Sequence, residues 1–133
     1  GGMTGCETAQ FLSSNGSQVH LIEMLPDIAT GAFFVDKMDI VQRLKDAKVN
    51  ILTGHRLVRI KDGSIFVQPE TDTKELELRV DKVVLSLGSV PDRRLYDEIR
   101  GAFDKVFLLG DALAPRRIAN AVQEGFEKAV LLE

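Results

Sequence analysis

Gly1, Gly2, Met3, Thr4 and Gly5 fit the last five positions of a G-x-G-x-x-G turn, with the first glycine absent. Each position in such a turn has a physical task. Gly2 lets the backbone approach a pyrophosphate, and Gly5 lets the following helix lie close to a strand. Met3 and Thr4 open that helix, whose first N–H groups and positive dipole end face the phosphates. A helix start that happens to be rich in small residues gives the same letters. Glu23 separates the two readings. It lies about 20 residues on, directly after the apolar run VHLI, where a carboxylate accepts hydrogen bonds from the ribose hydroxyls of an adenosine. It also repels a 2′-phosphate, and Met24 and Leu25 beside it bring no guanidinium to receive one. The pair points to NAD(H) ahead of NADP(H); the alternative for Glu23 alone is an exposed glutamate at a strand end.

A second candidate is LLGDA, residues 108–112. An apolar strand that delivers Gly110 and Asp111 toward a helix start suits a sugar hydroxyl on the carboxylate and a phosphate at the helix end; as a bare pattern, Gly-Asp is also an ordinary turn. Arg116 and Arg117 face either a pyrophosphate or solvent. Cys6, inside the first helix, reads as a buried inert thiol rather than a redox centre. His20 reads as part of an apolar strand, and His55 reads as a loop residue with no serine, cysteine or metal ligand at a telling spacing. No catalytic acid, base or nucleophile is assigned, and no metal site.

The elements that must position these residues follow from periodicity and turn chemistry. A helix is expected from Met3 to about Ser14, burying Cys6, Ala9, Phe11 and Leu12 and ending at Asn15-Gly16. SQVHLIEM reads as a strand, 25–34 as a loop, and Val35–Ala47 as a helix with Val35, Met38, Val41, Leu44 and Ala47 inward. VNILTG is a further strand. RLVRIKDG, SIFVQPE and KELELRVD then alternate apolar and polar residues, the pattern of a three-stranded antiparallel meander with one wet face. KVVLSLG and KVFLLGDA read as strands buried on both faces, with a short helical or irregular link at RRLYDEIRG between them. A last helix is expected from about Pro115, with Ile118, Val122, Phe126 and Val130 on one side. The class is α/β: a Rossmann-like parallel sheet plus the meander.

Composition excludes several functions. The chain has 133 residues and a formal net charge of -3, with lysine and arginine spread out, so no nucleic-acid footprint is expected. Its apolar runs are far shorter than the roughly 20 residues of a membrane helix. The start lacks a basic flank followed by an apolar stretch, so a cytoplasmic location is expected. A single cysteine rules out an internal disulfide and an all-cysteine metal or iron–sulfur site within the chain.

Three stretches in order, GGMTGCETAQFL, VVLSLGSVPD and VFLLGDALAPRRIANAVQEGF, resemble the pyridine-nucleotide-disulfide oxidoreductase superfamily. The nearest likeness is to the C-terminal nucleotide-binding module of NADH:flavin oxidoreductases of the 2,4-dienoyl-CoA reductase and trimethylamine dehydrogenase type; the PRRI run points to that branch. The resemblance implies that residues 1–90 are an NAD(P)H-binding domain lacking its first strand, and that residues 91–133 are the closing segment of an FAD- or ADP-binding domain. It implies that Gly88 lies near the nicotinamide nucleotide and that Gly110 and Asp111 meet the flavin side, Asp111 at the ribitol. In the family a hydride passes from NAD(P)H to FAD across the two nucleotide domains. On this reading the chain is a fragment, itself inactive; FMN, the iron–sulfur cluster, the catalytic barrel and the upstream flavin domain lie outside it. Some members of the branch hold ADP or do not use the inserted domain for NAD(P)H, so the alternative is a non-catalytic structural or ADP-holding module. An open sheet edge beside the second strand is expected to promote self-association.

Overall fold

The computed structural model describes residues 1–132. The chain divides into two compact units, one ending at Leu87 and one beginning at Gly88.

The first unit begins with helix α1, Met3–Ser14. Asn15-Gly16 closes it as expected: with Gly16 at φ 90°, the Ser17 N–H donates to Leu12 O (3.1 Å) and the Gly16 N–H to Ser13 O (3.0 Å), which satisfies two of the last carbonyls. Strand β1, His20–Ile22, runs parallel to β2, Asn50–Leu52, with His20 opposite Asn50 and Ile22 opposite Leu52. Helix α2, Phe34–Asp46, makes the crossover that a parallel pair requires. Cys6 and Ala9 of α1, Leu21 of β1, Ile40 and Leu44 of α2, and Ile28, Ala29 and Val49 between elements form one buried cluster.

Both helices form where the sequence pattern places them, but part of each expected buried side faces solvent. On α2 the inward row is Ile40 and Leu44, flanked by Val41 and Ala47, while Val35 and Met38 are exposed. The row Ile40, Leu44, Ala47 stays on one side of a 3.6-residue helix, and Val35 and Met38 are not part of the core cluster. On α1, Phe11 is likewise exposed. The loop between β1 and α2 contributes Ile28 and Ala29 to the core, and periodicity gives no sign of them because the segment has no period.

The meander forms as expected: β3 (His55–Lys61), β4 (Ser64–Pro69) and β5 (Leu76–Arg79) pair antiparallel in that order, with a register shift between Leu57 and Arg59. The β3–β4 turn uses Asp62 (φ 44°) and Gly63 (φ 76°), the two left-handed residues a tight hairpin favours. In central β4, Ser64, Ile65 and Val67 are buried.

The two remaining expected strands are absent. Residues 82–88 and 105–109 are assigned to no helix or strand. They are not buried on both faces either, Leu87 being 85% exposed. Apolar β-branched composition makes a segment fit for a sheet interior, but a strand exists only as a member of a ladder. Neither segment has a ladder partner among the described residues.

The second unit holds helix α3, Arg94–Ile99, a 3₁₀ turn at Gly110–Ala112 and helix α4, Ile118–Ala129. Helix α4 begins three residues after Pro115. Its start is set by Arg117, extended at φ -83°, ψ 154°, whose N–H reaches Asn120 Oδ1 at 3.3 Å. Ile118, Val122, Phe126 and Val130 do share one side, and all four are exposed. From Gly88 to Leu132 no residue is buried.

Candidate functional site

The glycine turn and Glu23 come together in the first unit. Gly2 is the extended residue before α1 (φ -67°, ψ 174°), and no side chain caps that helix start. The first-turn N–H groups are therefore not committed to a capping side chain. A Cβ built on Gly2 would meet no atom within 4 Å, so its surface is open. Met3 packs against the core, and Thr4 is exposed on the first turn. Gly5 is buried, and a Cβ there would lie 3.2–3.3 Å from Oγ and Cβ of Ser86. Helix α1 therefore lies close to Ser86.

Glu23 follows β1. Its main chain is tied on both sides: its N–H donates to Leu52 O (2.9 Å), and its carbonyl accepts from the His55 N–H (3.0 Å). Its side chain, only 15% exposed, places Oε2 2.9 Å from the Gly1 nitrogen. Oε1 accepts the Leu25 N–H at 2.7 Å. Burial favours the neutral acid, yet the Leu25 N–H, the Gly1 amine and the Met24 N–H outweigh it and hold the Glu23 carboxyl below the ordinary carboxylate range.

That depression has a signed consequence. A carboxyl held low in the native state contributes stability that is fully present above the ordinary glutamate value of 4.5; the contribution is lost as pH falls through the native value. Thermal melts of the wild type and Glu23→Gln are expected to differ most at pH 6–7 and to converge as the pH is lowered through about 4.5 toward 3. A difference independent of pH would show that the ionised form carries no share of it.

Gly1 is held at its carbonyl as well, which accepts the Ala29 N–H (2.7 Å) and the Cys6 thiol (3.3 Å). Ala29 is fully buried in a left-handed conformation, φ 51°. Cys6 is fully buried too, and burial raises its thiol despite the nearby amine, the state of an unreactive cysteine. His20 Nδ1 lies 2.8 Å from Asn50 Nδ2, and His55 Nδ1 lies 2.6 Å from Thr53 O; both rings brace the β1–β2 region. Among the described residues, no cluster of three His, Cys, Asp or Glu side chains could hold a metal ion.

In the second unit, Gly110 has φ 57°, and a Cβ there would stand 3.1 Å from Ala121 Cβ. The left-handed conformation favours glycine and the space is tight, because α4 packs directly on the turn. The Gly110 N–H donates to Glu124 Oε2 at 2.8 Å, and Glu124 Oε1 pairs with Arg116. Glu124 is a neighbour of Gly110 that the sequence alone does not point to; an acid in the second turn of a helix carries no local signal. Arg116 is thus engaged within its own unit. Asp111 is exposed and accepts the Arg116 N–H at 3.4 Å through Oδ1, which leaves Oδ2 for a hydroxyl. Gly88 is an open left-handed residue, φ 82°, with nothing within 4 Å of a built Cβ.

The residues present fit a dinucleotide in the first unit. An open glycine surface, an uncapped helix start and an ionised carboxylate at the end of the neighbouring strand form one group of contacts. Such groups are able to receive a diphosphate and a diol; none of them is a nucleophile.

A family model described as pyridine nucleotide-disulphide oxidoreductase matches residues 1–125. The chain is 30% identical over 130 residues to the NADH oxidase of Thermoanaerobacter brockii, which covers 97% of this chain and 20% of that protein. It is 32% identical over 136 residues to the bilirubin reductase of Mediterraneibacter gnavus, covering 99% of this chain and 20% of that one. The chain therefore spans about a fifth of the length of these relatives. Among solved structures, histamine dehydrogenase from Rhizobium sp. 4-9 superposes with a TM-score of 0.80 at 20% identity, over 96% of this chain and 21% of that one. The glycine turn, the parallel strands and the meander thus stand within a known frame, and the chain belongs to the pyridine nucleotide-disulphide oxidoreductase family.

Proposed function

We propose that the chain is the nucleotide-binding part of a flavin-dependent oxidoreductase, and that its first unit binds NADH in preference to NADPH. The observation that carries this reading is the meeting of the open Gly2 surface, the uncapped start of α1 and the ionised Glu23. The nicotinamide nucleotide supplies the hydride and a flavin accepts it. The chain's own residues bind and orient: Gly2 admits the diphosphate to the backbone, the N–H groups of Met3, Thr4 and Gly5 face it, and Glu23 receives the ribose hydroxyls with the lone pairs left on its two oxygens. Gly88 is assigned to the nicotinamide side, and Gly110 and Asp111 to the FAD or ADP side. Asp111 keeps one carboxylate oxygen free for a sugar hydroxyl.

The alternative, a structural or ADP-holding module, would be favoured by a Met3 or Phe33 side chain filling the adenosine groove. Met3 packs into the core instead, which supports the nucleotide-binding reading.

Calorimetric titration with NADH, NADPH, FAD and ADP tests it. NADH is expected to bind at least tenfold tighter than NADPH, and Glu23→Ala to reduce that ratio tenfold or more, since a 2′-phosphate then meets no opposing charge. No binding of either nicotinamide nucleotide, to this chain or to one extended upstream, would leave the structural module as the better account.

A further inference from the structure

Gly1 occupies the variable position of the turn, directly before Gly2, so the motif itself does not ask for glycine there. The structure does. A Cβ on Gly1 would lie 2.5 Å from Glu23 Oε2, 2.7 Å from Glu23 Cβ and 2.9 Å from Glu23 Cγ. A changed rotamer moves the outer atoms away but not Glu23 Cβ, which is fixed to a main chain bonded to Leu52 and His55. The carboxylate then adds a polar hold through the Gly1 nitrogen. That contact needs only an N–H, which the Gly1 nitrogen carries as an amine or as a peptide amide. With the Gly1 carbonyl held by Ala29, both polar atoms of Gly1 are fixed without any ligand.

We propose that Glu23 is a positioning residue for the glycine turn: its Cβ seats Gly1, its carboxylate ties the Gly1 nitrogen to the end of β1, and together they set the first-turn N–H groups of α1 before a nucleotide arrives. This deepens the nucleotide-binding reading and rests on it for its purpose. One carboxylate then serves two tasks, ribose recognition and turn geometry.

The steric and polar parts separate experimentally. Melting temperatures are measured without nucleotide for Gly1→Ala in three backgrounds. Gly1→Ala is expected to lower the melting temperature by several degrees in the wild type. It lowers it as much in Glu23→Ala, which keeps the obstructing Cβ, and by less than half as much in Glu23→Gly, which removes it. An equal loss in all three backgrounds, or none in the wild type, overturns the steric seat. Should the double variants not fold, the native amide resonances of Gly2 to Gly5 in Glu23→Gln decide the polar part: they shift if the carboxylate positions the turn, and unchanged resonances overturn it. Because neither measurement contains nucleotide, a failure of NADH binding is read separately by titration of the wild type.

Discussion

Replacing Gly2 with valine is expected to weaken NADH binding at least tenfold while leaving the fold in place. A built Cβ at Gly2 meets nothing within 4 Å, and its φ of -67° and ψ of 174° are extended, where β-branched residues are at ease. The protein itself therefore has no steric objection. The cost to the helix start is that of losing glycine as an N-cap, at most about 1 kcal/mol. A bound diphosphate has every objection, because the isopropyl group would occupy the space through which it approaches the backbone. A tenfold loss corresponds to about 1.4 kcal/mol. Calorimetry for binding and circular dichroism for melting separate the two effects. Unchanged NADH affinity in Gly2→Val would mean that the diphosphate does not lie over this turn.

The largest expected effect on stability belongs to Leu44→Ala. Leu44 is fully buried, with Ile40 beside it on α2 and Cys6 across on α1. Truncation removes three side-chain carbons and leaves a cavity that a small core closes only in part, at a cost of about 2–5 kcal/mol. Against a domain stability of about 5–15 kcal/mol, that is a large share. Urea unfolding is expected to show a much lower midpoint with an unchanged slope. Met38→Ala on the same helix is the contrast. Met38 is 57% exposed, so the expected change stays within about 0.5 kcal/mol. Equal losses from the two substitutions would contradict the inward row on α2.

Helix existence, the parallel β1–β2 pair and the meander were legible because each rests on a local signal. Asn15-Gly16 closes α1 through its own backbone bonds, and Asp62-Gly63 turns the hairpin through its own dihedrals. The orientation of the helices was less legible. The spacing of Val35 and Met38 is as helical as that of Ile40 and Leu44, and only tertiary packing decides which row faces the core. KVVLSLG and KVFLLGDA were misread for a related reason: composition reports what a segment could pair with, and pairing depends on a neighbour that the segment does not encode. In the site, glycine spacing and the distance to Glu23 pointed to both parts of the contact. The hold of Glu23 on Gly1, the left-handed Ala29 and the Glu124 bridge to Gly110 arise from side chains meeting across the fold, and no spacing rule announces them.

The absence of any buried residue from Gly88 to Leu132 bears on which part of the chain is thermodynamically self-sufficient. Ordering some 45 residues costs tens of kcal/mol of chain entropy at about 1–2 kcal/mol each. Burial of apolar side chains is the main term that offsets it. Residues 1–87 possess that term and residues 88–132 do not. The apolar core that can drive folding thus lies wholly within the first unit. The second unit is a client in the folding sense, its order conditional on apolar surface that its own side chains do not provide.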